Sequence, residues 1–174
     1  MAGHIAPADM DRTVAAYREH FRPLRGRPSV VLCLPVLVAR SDDEARWWHR
    51  CVQQRYLDRL RTGGAPLRGP DDVELDWSAG ERACERTSVT APSRSVRPST
   101  ARECGERYRV DGMLEAALVG SADTVRAQLR DVARRLAPDE VMAMTDLPDP
   151  GVTLRSHIGL AGIVAAVAPA GATS

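Results

Sequence analysis

Few residues in this chain have both the type and the spacing that chemistry needs. The four cysteines, Cys33, Cys51, Cys84 and Cys104, form no CxxC pair, and the four histidines, His4, His20, His49 and His157, do not flank them at ligand spacing, so no metal site is expected. Cys33 lies in an apolar run and reads as a small core residue. Ser156 and His157 adjoin without a third partner, which suits packing or solvent contact better than a catalytic dyad. Asp71 and Asp72 are adjacent, so their side chains diverge, as in a solvated loop. No GxSxG, Walker loop, GxGxxG or HExxH occurs. What remains are hydroxyl and carboxyl groups at the ends of elements. Ser121 and Thr124 stand where a helix begins, and its free backbone N–H groups could meet a phosphate; a plain N-cap is the simpler role. Thr145 and Asp146 close a short apolar strand, either as substrate contacts or as turn residues.

The elements that must position these groups can be read from periodicity. Met10, Val14, Tyr17 and Phe21 fall on one face of a helix over 9–21. SVVLCLPVLVA (29–39) fits a strand buried on both faces, although Pro35 cannot donate to a ladder. A helix over 41–64 starts at a capping box, Ser41 with Glu44, and stops at Gly63 and Gly64. Its apolar stripe is Ala45, Trp48, Val52, Tyr56 and Leu60, with Trp47 off the stripe. Residues 65–118 are punctuated by proline and rich in arginine and serine, and read as a lid-like or disordered insert. Beyond it, 119–168 gives a helix with Val125, Leu129, Val132 and Leu136 on one face, a strand over 140–146, and a last helix over about 152–167 carrying Leu154, Ile158 and Ile163. Alternating helices and strands imply a parallel sheet of the α/β class. Only two strands are evident, where an independent α/β domain of this length would normally show four or five.

Composition narrows the function classes. The chain has 174 residues, 44% of them hydrophobic and 27% charged, which is a globular composition. All 24 basic residues are arginine, yet the net charge is only +1 and aromatics make up 4%, so neither nucleic acid nor an anionic membrane is an expected partner. The apolar run 158–168 is too short and too glycine-punctuated to span a bilayer. With no basic-then-apolar pattern at the start of the sequence, the expected location is cytoplasmic.

Three segments carry a family resemblance: VGSADTVRAQLRDVARRL, DEVMAMTD and LRSHIGLA, between Val119 and Ala161. In this order they resemble the C-terminal end of luciferase-like flavin-dependent monooxygenases. AAYREHFRP, the strand after it, SDDEARWW and LDWSAGE resemble earlier parts of the same family. The likeness covers about 14–81 and 114–165; residues 82–113 have no recognised counterpart.

The resemblance implies a partial (β/α)8 TIM barrel: its last two strands with flanking helices and a long loop insertion, since a whole barrel needs ~250 residues. It implies FMN or a deazaflavin, no metal, a small organic substrate, and a separate flavin reductase. Most flavin-binding and catalytic positions of the family lie in the absent strands. In such a barrel Ser121 and Thr124 would be cofactor-binding candidates, and Thr145 and Asp146 catalytic candidates, on the face where the strands end. The expected function is oxygen-dependent oxidation by a truncated enzyme. The alternative is an inactive barrel remnant serving as a structural or partner subunit. Uncovered strand edges would drive homo- or hetero-oligomer formation in either case.

Overall fold

The computed structural model describes residues 9–22, 26–64, 66–75 and 105–167. In chain order these form α1 (Met10–His20), β1 (Val31–Ala39), α2 (Asp42–Thr62), a 3-10 turn (Pro70–Asp72), α3 (Gly105–Leu114), β2 (Leu118–Ser121), α4 (Ala122–Leu136), β3 (Glu140–Met144) and α5 (Pro150–Val167). Much of the expected insert lies outside the described residues. The part that is described is not all loop, because it includes the 3-10 turn and α3. Val110 and Leu114 of α3 are buried against Leu57 of α2.

The strands form one parallel sheet in the order β2-β1-β3. There are three among the described residues, where the sequence predicts two. The additional strand, β2, spans four residues, contains a glycine and runs straight into the cap of α4. That is too short for a two-residue period to register.

The run 31–39 is nearly all apolar because it is the central strand. Its pairing is staggered. Val31 to Pro35 pair with Glu140 to Met144 of β3, and Val36 to Ala39 pair with Leu118 to Ser121 of β2. Pro35, which has no N–H to give, sits where one ladder stops and the other starts. The strand therefore runs through a proline that a doubly paired position would not tolerate.

Alternation along β1 separates two faces. Leu32, Leu34, Val36 and Val38 enter a core with Met10 and Val14 of α1, Val125, Val132 and Leu136 of α4, and Ile163 of α5. Leu37 points the other way and meets Trp48 and Val52 of α2 together with Val119, Leu147 and Val152. Thus α4 and α2 cover opposite faces. The second face is covered only toward the C-terminal half of β1. On its other half Val31, Cys33 and Pro35 are half-buried, and Met142 and Met144, their neighbours in register, are 58% and 37% exposed. Cys33 is therefore half-buried and belongs to none of the core clusters among the described residues.

Helix faces differ in detail from their predicted stripes. The capping box of α2 forms in part: Ser41 Oγ accepts from the Glu44 N–H at 3.1 Å, but the Glu44 carboxylate accepts from the Arg40 N–H at 3.0 Å. The predicted stop at Gly63 is present in the left-handed conformation, φ 82°. The most deeply buried positions of α2 are Ala45, Cys51, Gln54, Leu57 and Asp58, while Trp48, Val52, Tyr56 and Leu60 are half-buried. The helix packs on two sides, so one stripe does not describe it. In α4 the predicted Val125, Val132 and Leu136 are buried and Leu129 is half-buried. In α5 only Ile163 of the predicted trio is buried. Leu154 and Ile158 are more than 60% exposed, and Val152 and Ser156 are buried instead. That helix is apolar nearly all round, so periodicity could not choose its inner face; small residues chose it. A Cβ on Gly159 would stand 2.8 Å from Val38 Cγ1.

Candidate functional site: a crevice between β1, β3 and α2

The ordering β2-β1-β3, with helices on opposite faces, leaves a crevice beside β1 where β3 ends. In parallel α/β sheets ligands bind outside the carboxyl ends of the strands, at the point where the winding direction reverses. A cavity of about 220 Å³ lies there. Its apolar lining is Pro35, Leu37, Val52, Val119, Met144 and Leu147. Its polar lining is Thr145 and Asp146 from the end of β3, and His49, Arg55, Tyr56 and Arg59 from α2.

The structure thus brings two of the four predicted site residues into this crevice and keeps the other two out. Thr145 Oγ1 donates to the Val36 carbonyl at 2.7 Å, prolonging the β1–β3 contact past the last ladder position. The Asp146 carboxylate pairs with the Arg55 guanidinium. Neither Ser121 nor Thr124 lines the cavity. They cap α4 and bind α2: Asp42 Oδ1 accepts from the Ser121 N–H at 2.6 Å, and Asp42 Oδ2 from the Thr124 hydroxyl at 3.1 Å. These bonds hold the Asp42 carboxyl below the usual carboxylate range, the Ser121 N–H contributing most. An internal carboxylate thus occupies the place at the helix start where an external anion would bind. Gly120 makes this contact possible. Its φ is +158°, and a Cβ would stand 2.6 Å from Thr124 Cγ2 and 2.9 Å from Asp42 Oδ1.

The α2 side of the crevice carries the charge. Burial lowers the pKa of His49, with the Asp111 carboxylate pulling weakly the other way, so the imidazole sits there uncharged at neutral pH. Arg55 is balanced by Asp146. Arg59 has no carboxylate within ion-pair range among the described residues. Sequence reasoning passed over His49, Arg55, Tyr56 and Arg59. The available cue was the four-residue spacing of Arg55 and Arg59, which puts both on one flank of the helix.

The remaining candidates have structural roles. Ser156 Oγ accepts from the buried Val38 N–H at 2.9 Å, on the half of β1 that β3 does not reach. His157 is exposed at the shallow outer end of the Thr145–Asp146 surface. Burial pushes the Cys51 thiol up, away from nucleophilic use. No cluster of histidine, cysteine and carboxylate side chains that could hold a metal occurs among the described residues.

An α/β chain with parallel strands and a crevice at the carboxyl end of β3 is the class that fold and site define. No protein-family model matches the chain, and no curated protein does. Among solved structures it is similar to apo-MsnO8, with a TM-score of 0.64, 21% identity, and coverage of 94% of this chain and 43% of that one. It is also similar to the monooxygenase RslO1 from Streptomyces bottropensis, with a TM-score of 0.48, 17% identity, and coverage of 96% and 40%. The chain spans less than half the length of either structure.

Proposed function

We propose that this chain is the C-terminal part of a luciferase-like monooxygenase, an oxidoreductase acting on a small organic substrate with reduced FMN and O2, or with a deazaflavin as hydride carrier. The observation that carries the reading is the likeness of the fold to MsnO8 over 94% of the chain. It stands beside the ordered likeness of VGSADTVRAQLRDVARRL, DEVMAMTD and LRSHIGLA to that family. The partial barrel, the separate flavin reductase and the cytoplasmic location belong to the same proposal. No helix among the described residues is long and apolar enough to cross a membrane.

The described residues do not by themselves fit a whole flavin. The cavity is about 220 Å³, whereas small-molecule and cofactor pockets run to roughly 300–1,000 Å³. The start of α4 is already taken by Asp42. What the chain supplies is one wall: an apolar floor with Thr145 and Asp146 at the strand end and cations on α2. The rest would come from further polypeptide.

The test is a turnover assay under air with a flavin reductase, NADH and either FMN or a deazaflavin. Product formation, oxygen-dependent with FMN, supports the proposal. Its absence, with a cooperative thermal melt that flavin does not shift, sinks it for this chain.

A second reading is favoured by the exposed Met142 and Met144 beside Cys33. On it the chain is a non-catalytic subunit that covers this face by pairing with itself or another polypeptide. Light scattering after size exclusion tests self-pairing; a monomer at micromolar concentration that turns over substrate would overturn it.

A further inference from the structure

We propose that the crevice between β3 and α2 binds a small aromatic carboxylic acid, with Arg59 taking the carboxylate. This names the substrate class of the site proposed above and to that extent rests on that reading. The binding itself requires neither flavin nor oxygen.

Three observations converge on this ligand. The first is charge. Among the described residues two guanidinium groups, Arg55 and the exposed Arg59, line the crevice with one carboxylate, Asp146, which leaves one positive charge without a carboxylate partner. That charge belongs to Arg59, because Asp146 already pairs with Arg55. A guanidinium presents its donors in a planar fork that matches a carboxylate.

The second is the supply of hydrogen-bond partners. Tyr56 and His49 line the same wall, and Thr145 has committed its proton to the Val36 carbonyl. A guanidinium, a phenol and an imidazole on one wall are residue types that can donate to a ligand oxygen.

The third is the floor and the size. Leu37, Val119, Met144 and Leu147, with Val52 from α2 itself, give the crevice an apolar lining. An apolar cavity of about 150 Å³ accommodates benzene. At about 220 Å³ this crevice has room for one ring with a carboxyl group on it. A bare inorganic anion would leave the apolar floor in water, and a neutral arene would leave the exposed Arg59 fork to water alone.

The experiment is calorimetric titration of the purified chain, without flavin and under argon, with sodium benzoate, benzamide and sodium acetate. Benzoate is expected to bind at least about tenfold more tightly than either, because benzamide lacks the charge and acetate the ring. Arg59→Gln should weaken benzoate at least about tenfold, the scale of one lost charge-assisted bond, and Arg59→Lys should restore part of it. Equal binding of benzoate and benzamide would overturn the role given to Arg59; equal binding of benzoate and acetate would overturn the role given to the floor. No heat with any of the three up to millimolar concentration would overturn the site. Should Arg59→Gln fail to fold, the three-ligand comparison on the unaltered chain decides alone. Benzoate binding without turnover under air would count against the monooxygenase reading and leave the site standing.

Discussion

The two faces of the sheet are finished to different degrees. One carries α1, α4 and α5 over the whole of β1, with Leu32, Leu34, Val36 and Val38 nearly inaccessible. The other carries α2 over half its length and leaves Met142 and Met144 in the open. The same strand builds both, so β1 propensity is not the cause. The cause is the number of elements available to pack. A buried face holds stability and tolerates little, whereas a partly covered face leaves room for ligands and partners. The crevice lies on the second face, where coverage ends.

The largest test of this contrast is a pair of truncations. Leu34→Ala empties a fully buried position and should cost about 2–5 kcal/mol in urea unfolding, a large share of a typical domain's stability. An equal cost at Met142 would remove the distinction between the faces. Next in size is the seam that ties α2, on one face, to α4, on the other. Gly120→Ala puts a Cβ within 2.6 Å of Thr124 Cγ2 at a positive φ, and about 1–3 kcal/mol of destabilisation is expected in the same measurement.

A smaller effect is tied to pH and belongs to the second face alone. Burial lowers the His49 pKa in the folded chain, so below about 6.5 the unfolded chain takes up the proton first. The His49 contribution is therefore complete above that pH and is lost as pH falls toward the lowered folded value. His49→Gln should flatten the pH dependence of the melting temperature between about pH 7 and 5; an unchanged slope would assign it to other groups. Smallest is Met142→Gln. It should change stability by no more than about 0.5 kcal/mol, since the side chain is already mostly in water. If the exposed face pairs chains together, the same substitution lowers the apparent mass seen by light scattering.

The first face was largely legible in the sequence, and the second was not. Val125, Val132 and Leu136 announce α4 by their spacing, and the apolar run of β1 announces a central strand. These signals are local and repeat with a fixed period. The existence of β2 depended on pairing across the chain with Val36 to Ala39, which no four-residue window contains. The same limit hid half of the crevice. Thr145 and Asp146 could be placed at a strand end because strand ends can be located locally. Arg55 and Arg59 were missed because only tertiary packing shows which flank of α2 faces β3. Ser121 and Thr124 were correctly placed at a helix start, but their Asp42 partner is 79 and 82 residues away.

The handover at Pro35 also bears on the order of events during folding. Among the described residues β1 is the strand that touches both others, and its contacts with the β3 region join residues 109 positions apart. Loop closure over such distances comes late and makes folding slow. During synthesis the most hydrophobic strand leaves the ribosome well before β2 and β3, without either of these partners for roughly 4–20 s at ordinary elongation rates. An N–H missing at its midpoint limits how long a ladder any stray strand could build on it in that interval, so Pro35 acts as a guard against misassembly before it is a feature of the finished sheet.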